Sequence, residues 1–452
     1  MADASSSSPD AARALLDGLL AAARKHGAET ADASIAWRES VSVDVRLGAL
    51  EGVEREESRS VGLRALIGKR QAGAATTDLS PAGLAELAER VVAMAQAAPE
   101  DPYCGLLDPG DRAIGDISGE YVDETRPDAA LLERMAAEAE AAALAVQGVT
   151  NSSGAGASFE RGRSAYATAD GFFAAHEGGA YGVSVAPLAE RDGVKERDYE
   201  YRTTRRFADL PSPAALGRAA GERAVARLGA RKIESCKAPV IFENRIAARL
   251  IGPMLGAISG AAVARGVSFL KDKLGAPVFA PGIDIVEDPH LPLGLASRIV
   301  DGEGAPTRRR PIIEQGVLTT WLLNAAAARQ LGLRTTGHAT LGHGGPPGIS
   351  STNVTLEPGE GDLAALMGRA GTGLLVVEFF SPSLNPNTGD WSVGIAGRWF
   401  ENGQPVHAVS EVTVAGNLRD IYARLIPGGD LDIRGALNAP SILIDDLTIA
   451  GL

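Results

Sequence analysis

Cysteine is almost missing. Cys104 and Cys236 are the only two in 452 residues. They stand far apart in unlike surroundings, so no disulfide framework is indicated, and a reducing compartment, the cytoplasm, is expected. A secretory start is missing too. The first residues are Ser-rich, without a basic or an apolar region, and residues 1–10 read as a disordered N-terminus. No apolar run is long enough to span a bilayer. Residues 250–264 fall short of the ~18 apolar residues required and carry Gly252, Pro253 and Ser259. The charge-free stretch 335–356 is dominated by Gly, Thr, Ser and Pro. Positive charge is also in deficit: 44 Lys and Arg against 57 Asp and Glu, 44 − 57 = −13. Such a surface repels nucleic acid and anionic lipid. The one dense basic run, Arg308-Arg309-Arg310, reads as a solvated turn.

Histidine is scarce, and its distribution is informative. The six are His26, His176, His290, His338, His343 and His407. A hydrolytic zinc site needs three protein ligands and an open position. On a helix, two His must share a face, with a Glu beside the first as general base. No His lies between Glu177 and Pro289, so a helix in that interval carries no imidazole. His338 and His343 have H-x4-H spacing without the Glu, among Gly337, Gly344, Gly345, Pro346 and Pro347, where a helix is not expected. The spacing reads as a Gly-rich loop with two polar residues. His176-Glu177 reads as a lone pair in a strand or turn, with side chains on opposite faces and a structural or surface role. No G-x-S-x-G, P-loop or dinucleotide fingerprint occurs. The small polar segment 150–156 reads as a loop. Asp301-Gly302-Glu303-Gly304 is an acidic turn; a cation site and a hairpin turn both account for it, the turn better.

What is present suggests an α+β chain, in two or three domains by length. A first helix spans about 9–26, with Gly27 as its stop. Alternating residues 41–47 form a strand, and a strand pair spans about 58–75, bent at Gly62, Gly68 and Gly73. Ser80-Pro81 starts a helix. A helix near 128–146, strands over 156–201 and a second helix start at Ser212-Pro213 echo this order. An approximate internal duplication and a coincidence of two common Ser-Pro starts both explain the echo. The expected layout is an N-terminal α/β domain over 11–235 and a C-terminal antiparallel β-rich, barrel-like domain over 236–452 with one prominent helix. That helix, about 244–264, should kink or break at Pro253. Gly252, Gly256 and Gly260 form a small-residue ridge on it, read as an internal packing seam rather than a subunit contact. Gln315-Gly316 and Asn402-Gly403 signal hairpins, and the tail 441–450 alternates as a strand.

Several second-half segments, taken in order, resemble the TldD/PmbA family. They are Val267-Ser-Phe-Leu-Lys-Asp-Lys-Leu-Gly275, Asp301-Gly-Glu-Gly-Ala-Pro-Thr-Arg-Arg-Arg310, Ile313-Glu-Gln-Gly-Val-Leu318, Thr336-Gly-His-Ala339, Asn387-Thr-Gly-Asp390, Glu401-Asn-Gly403, Ala415-Gly-Asn417 and Asn438-Ala-Pro-Ser-Ile-Leu443. Glu51-Gly-Val53 and Ser60-Val-Gly-Leu63 agree more loosely. The TldD branch carries H-E-x-x-x-H on the helix opening the second half, and a late Cys completes its zinc site. Here Gly252 and Pro253 stand approximately at the first His and the Glu, Ala257 at the second His, and no Cys follows Cys236. The chain therefore resembles the PmbA/TldE branch. The resemblance implies a chain with no catalytic residue, metal ligand or cofactor of its own, paired with a TldD-like subunit that holds Zn. Unfolded peptides, such as leader peptides or antitoxins, are the implied substrates, and a homodimer is an alternative state of the isolated chain. Two other readings remain open. One is an autonomous metal-dependent hydrolase with a nonstandard site at His338, His343 or Asp301. The other is a peptide-binding scaffold with no peptidase partner.

Overall fold

A computed structural model describes residues 8–114 and 117–452. It opens on α1 (Pro9–Lys25), where Ser8 accepts a hydrogen bond from Ala11 N and Pro9 sits in the first turn. Pro9 and Asp10 are thus helical, and residues 1–7 of the expected disordered start lie outside the described residues.

The first half continues with β1 (Thr30–Arg46), β2 (Ala49–Ile67), β3 (Arg70–Thr76), α2 (Pro81–Ala97), β4 (Ser118–Tyr121), α3 (Ala129–Leu144), β5 (Val149–Thr168), β6 (Phe173–Arg191), β7 (Val194–Arg197), β8 (Glu200–Thr204) and α4 (Pro213–Ala226). One sheet runs β3-β2-β1-β5-β6-β4, with β7 and β8 also pairing with β6. A helix, a long antiparallel hairpin, short strand segments and a closing helix thus occur twice in succession, the arrangement a duplication would leave. Strand alternation divides the faces. Ile35, Val61, Leu63 and Ala165 pack under α1 and α2. Val43, Ala157, Tyr181 and Val183 pack under α3 and α4. Among the described residues, the opposite face bears no helix of this half.

One expectation needs correction here. Residues 150–156 are not a loop but the start of β5, irregular between Ser152 and Ala155. Gly154 takes a φ of +120° there, which admits a bulge that residue type disguises. The strand register runs unbroken through Gly62 and Gly73. They are sites of close approach, described below.

The second half contains β9 (Cys236–Phe242), α5 (Asn244–Ala257), α6 (Gly260–Ala264), β10 (Ile285–Glu287), β11 (Arg310–Glu314), β12 (Val317–Leu318), α7 (Ala325–Leu331), β13 (Val354–Leu356), α8 (Leu363–Ala370), β14 (Gly373–Leu384), β15 (Asp390–Glu401), β16 (Gln404–Asn417), α9 (Leu418–Ala423), β17 (Ile426–Pro427), β18 (Leu437–Asn438) and β19 (Ile442–Ala450). β16, β15, β14, β9 and β19 form a ring that closes where Thr413–Ala415 pair with Thr448–Ala450. The expected barrel is present. It is not wholly antiparallel, because β9 and β14 run parallel, joined by a crossover long enough to hold α5 and four of the five strands of a second sheet. That sheet has the order β12-β11-β10-β13-β18. Both signalled hairpins form, with positive φ at Gln315, Gly316, Asn402 and Gly403. Ile246, Leu250, Ile251 and Met254 of α5 pack with Val240, Phe242, Val376 and Ile395 of the barrel.

Candidate functional site

The helix α5 continues through Pro253 rather than breaking there. It ends at Ala257, because the chain at Leu322 pairs with the backbone just beyond: Leu322 N donates to Ile258 O, and Gly260 N donates to Leu322 O. The glycine ridge is therefore divided between two helices. Only Gly260 is packed closely, against Leu323 and Ala327; Gly256 faces open space, and a Cβ on Gly252 would meet only Leu437, at 3.8 Å. Gly252 and Pro253 lie on the half-buried side of α5, while Ala257 is buried. A five-residue step turns a regular helix by about 140° from alignment, so Gly252 and Ala257 do not share a face. None of the three offers a donor atom, and the site does not fit a zinc ion.

His338 and His343 are both engaged, with different partners. His338 is buried; its Nε2 lies 2.7 Å from Glu287 Oε2 and its Nδ1 2.8 Å from Thr336 Oγ1. Glu287 Oε1 accepts from Thr352 N and Oγ1 at 2.6 and 2.9 Å. Burial alone would raise the Glu287 pKa, but the hydrogen bonds from His338 and Thr352 hold it below its ordinary value. His343 reaches back to the first-half sheet, with Nδ1 3.0 Å from Ser34 Oγ and Nε2 2.8 Å from Ser60 Oγ. Its neighbour Gly344 is wedged against β2 and β3: a Cβ on Gly62 or Gly73 would overlap the Gly344 backbone. The Gly-rich loop thus docks the two halves together.

Asp301 is a turn-former. It is buried and accepts backbone N–H groups from Glu303, Ala305 and Ala339, each at 2.9 Å. Those bonds use both oxygens within the chain. Glu303 beside it accepts Ala325 N at 2.8 Å. Burial, then repulsion from Asp301, push Glu303 up to about 7. Among the described residues, no group of three or more His, Cys, Asp or Glu side chains converges as a metal site.

The clearest concavity lies on the helix-free face of the first-half sheet. Two adjoining cavities, ≈ 340 and ≈ 550 Å³, share Ser164, His176, Arg205 and Leu295. Their floor is made of small residues that alternate along β5 and β6, among them Gly162, Ser164, Ala174 and Gly178. Arg205 joins this floor to the second half, donating from Nε to Gly294 O at 2.8 Å and from Nη2 to Leu295 O at 2.5 Å. Burial, then the charges of Arg205 and Arg298, lower the His176 pKa to about 4, so its imidazole is neutral near pH ~7. Sequence reading missed this groove. Its signal was the small side chains at every second residue, Gly156, Ser158, Gly162 and Ser164, interrupted by Glu160. A neutral imidazole, His176, and a guanidinium fixed on backbone carbonyls, Arg205, both line it.

Comparison with known proteins matches the chain to three consecutive families: PmbA/TldA metallopeptidase domain 1 over residues 31–95, the central domain over 122–228 and the C-terminal domain over 235–451. The metalloprotease PmbA of Escherichia coli O157:H7 is 36% identical over 437 residues, covering 96% of this chain and 94% of that protein. The chain belongs to the PmbA/TldD metallopeptidase family. A PmbA homologue of Haemophilus influenzae is 33% identical, covering 95% of this chain and 94% of its own length. The PmbA/TldD fold is also seen in TldE from Thermococcus kodakarensis, with a TM-score of 0.84 at 20% identity, covering 97% of this chain and 100% of TldE. A Bacteroides thetaiotaomicron protein described as a modulator of DNA gyrase superposes with a TM-score of 0.90 at 23% identity, covering 97% of this chain and 99% of that one. No helix among the described residues of this PmbA/TldD chain is long and apolar enough to cross a membrane.

Proposed function

We propose that this chain is the non-catalytic subunit of a TldD/TldE-type zinc metallopeptidase, acting with a TldD-like subunit that holds the zinc. The observation that carries this reading is that Gly252, Pro253 and Ala257 of α5 supply no metal donor. The partners already taken by His338 and His343 argue against an autonomous metal-dependent hydrolase. The substrates proposed are unfolded peptides, such as leader peptides or antitoxins. Two features suit an extended chain. One is the groove floored by small residues. The other is the first part of β2, which pairs with β1 from Ala49 onward but with β3 only from Val61, leaving a strand edge open among the described residues. Such an edge accepts a peptide strand through its backbone, whatever the side chains. Free Cys104 and Cys236 are compatible with work in the cytoplasm.

The test is zinc content by elemental mass spectrometry on the tag-free chain alone, followed by cleavage of an unfolded peptide with and without a TldD-like subunit. Little zinc alone, with cleavage only in the pair, is expected. About one tight zinc per isolated chain, lost when His338 and His343 are both changed to Ala, would overturn the reading. A zinc-free chain that binds peptide yet joins no TldD-like subunit would leave a scaffold.

A further inference from the structure

A cavity of ≈ 380 Å³ lies between the turn at 110–112, the segment 305–310 and the turn at 334–337. Four arginines line it, Arg112, Arg308, Arg310 and Arg334, with a single carboxylate, Asp111. Their charges are unevenly compensated. Arg334 pairs with Asp111. Arg112 pairs with Asp170 at 2.5 Å and donates to Leu107 O at 2.6 Å. Arg310 donates from Nη2 to Thr336 O at 2.5 Å. Its nearest carboxylate oxygen, on Glu287, is 4.0 Å away and already taken by His338. Arg308 is exposed and forms no ion pair among the described residues. The basic run read from sequence as a solvated turn is therefore divided. Arg308 and Arg310, two residues apart on an extended segment, both line the cavity, while Arg309 reaches Asp288 at 3.6 Å.

Two buried donors stand unused. The Nε atoms of Arg112 and Arg310 have no hydrogen-bond partner, although the two side chains are only 6% and 11% exposed. Native proteins rarely leave such groups unpaired; water, an ion or a ligand completes them. Burial, with the charge of Arg308 added, holds the Arg310 pKa below its ordinary value despite Glu287 nearby.

We propose that this cavity binds a phosphate-class dianion, held by the guanidinium groups of Arg308 and Arg310 with Arg112 behind them. Two guanidinium charges without a dedicated carboxylate match a dianion better than a single carboxylate. The planar donor fork of Arg suits tetrahedral oxyanions. Inorganic phosphate and the phosphomonoester of a small molecule share this chemistry. The site is separate from the groove and independent of the peptidase reading.

The experiment is calorimetric and thermal-shift titration of the full tag-free chain with sodium phosphate, glycerol phosphate, sodium acetate and sodium chloride at matched ionic strength. Saturable binding of phosphate is expected, with acetate and chloride much weaker. Arg308→Ala, an exposed change that leaves folding intact, should weaken it by ~10-fold or more, and Arg309→Ala by less than ~2-fold. Binding of both phosphate and glycerol phosphate assigns a phosphomonoester; binding of phosphate alone assigns the free ion. Absence of saturable binding by either, equal binding of acetate, or equal loss in Arg308→Ala and Arg309→Ala would overturn the proposal.

Discussion

Nε2 of His338 lies 2.7 Å from Oε2 of Glu287, with both side chains almost wholly buried, at 1% and 2% exposed. The pair sits where β10 meets the loop that docks the two halves. Because Glu287 titrates below its unfolded value, the stability it contributes is complete above the ordinary carboxylate range and is lost as pH falls towards the folded value. His338→Ala removes the imidazole and leaves the buried carboxylate to Thr352. It should cost ~3–5 kcal/mol in guanidinium denaturation. Glu287→Gln keeps an acceptor for Thr352 and should cost only about 1–2 kcal/mol. Equal losses would show that packing, not charge pairing, sets the value of this contact.

Glu303 predicts the opposite slope. Its folded pKa of about 7 stands above the ordinary 4.5, through burial and then repulsion from Asp301. The folded state therefore binds the proton more tightly, and stability falls as pH rises from about 4.5 to about 7. The loss should approach ~3 kcal/mol. Glu303→Gln retains the acceptor for Ala325 N and should flatten this part of the profile. Urea melts at about pH 5 and about pH 8 on both proteins measure it, and an unchanged slope in the variant would refute the assignment.

Gly344 is held at a φ of +84° with its Cβ position blocked by Ala74 O. Gly344→Ala should cost about 2 kcal/mol or more and loosen the docking loop from β2 and β3. Faster proteolysis within residues 341–348 is the readout. Gly435→Ala, with open space around its Cβ position, is the control and should change stability by less than ~0.5 kcal/mol.

Pro253 lies inside α5 and has no N–H to give Arg249 O. A proline in a helix interior costs about 3 kcal/mol, and its stiffening of the unfolded chain returns up to ~1 kcal/mol. Pro253→Ala should therefore stabilise the isolated chain by about 2 kcal/mol by thermal or chemical melt. A destabilised variant would mean that the Pro253 ring packs more usefully than its position suggests.

Much of this protein was legible in the residues themselves. Ser80-Pro81 starts α2, with Ser80 accepting from Gly83 N as an N-cap should. Gln315-Gly316 and Asn402-Gly403 turn where their positive φ is cheap. The alternating tail is β19. The absence of any metal donor at Gly252, Pro253 and Ala257 is a property of the sequence alone. These features depend on neighbours within a few positions, so composition and spacing report them directly.

Other features depend on partners far away in the chain. The first part of β2 was missed because Glu54, Arg55, Glu56 and Glu57 are charged and exposed, and its strand geometry comes from pairing with β1. Pro253 appeared to be the helix breaker, whereas the pairing of Leu322 with residues 258–260 ends α5. The close approach that Gly62 and Gly73 allow became visible only once Gly344 was placed against them. The parallel β9–β14 pair, the closure of β19 on β16 and the inward turn of Arg310 were likewise decided only by tertiary structure. Sequence determined the local conformations and the missing zinc ligands. Which distant segments meet, and therefore which charges lose their water and which glycines are indispensable, followed from packing, because burial and hydrogen-bond pairing are properties of the assembled chain.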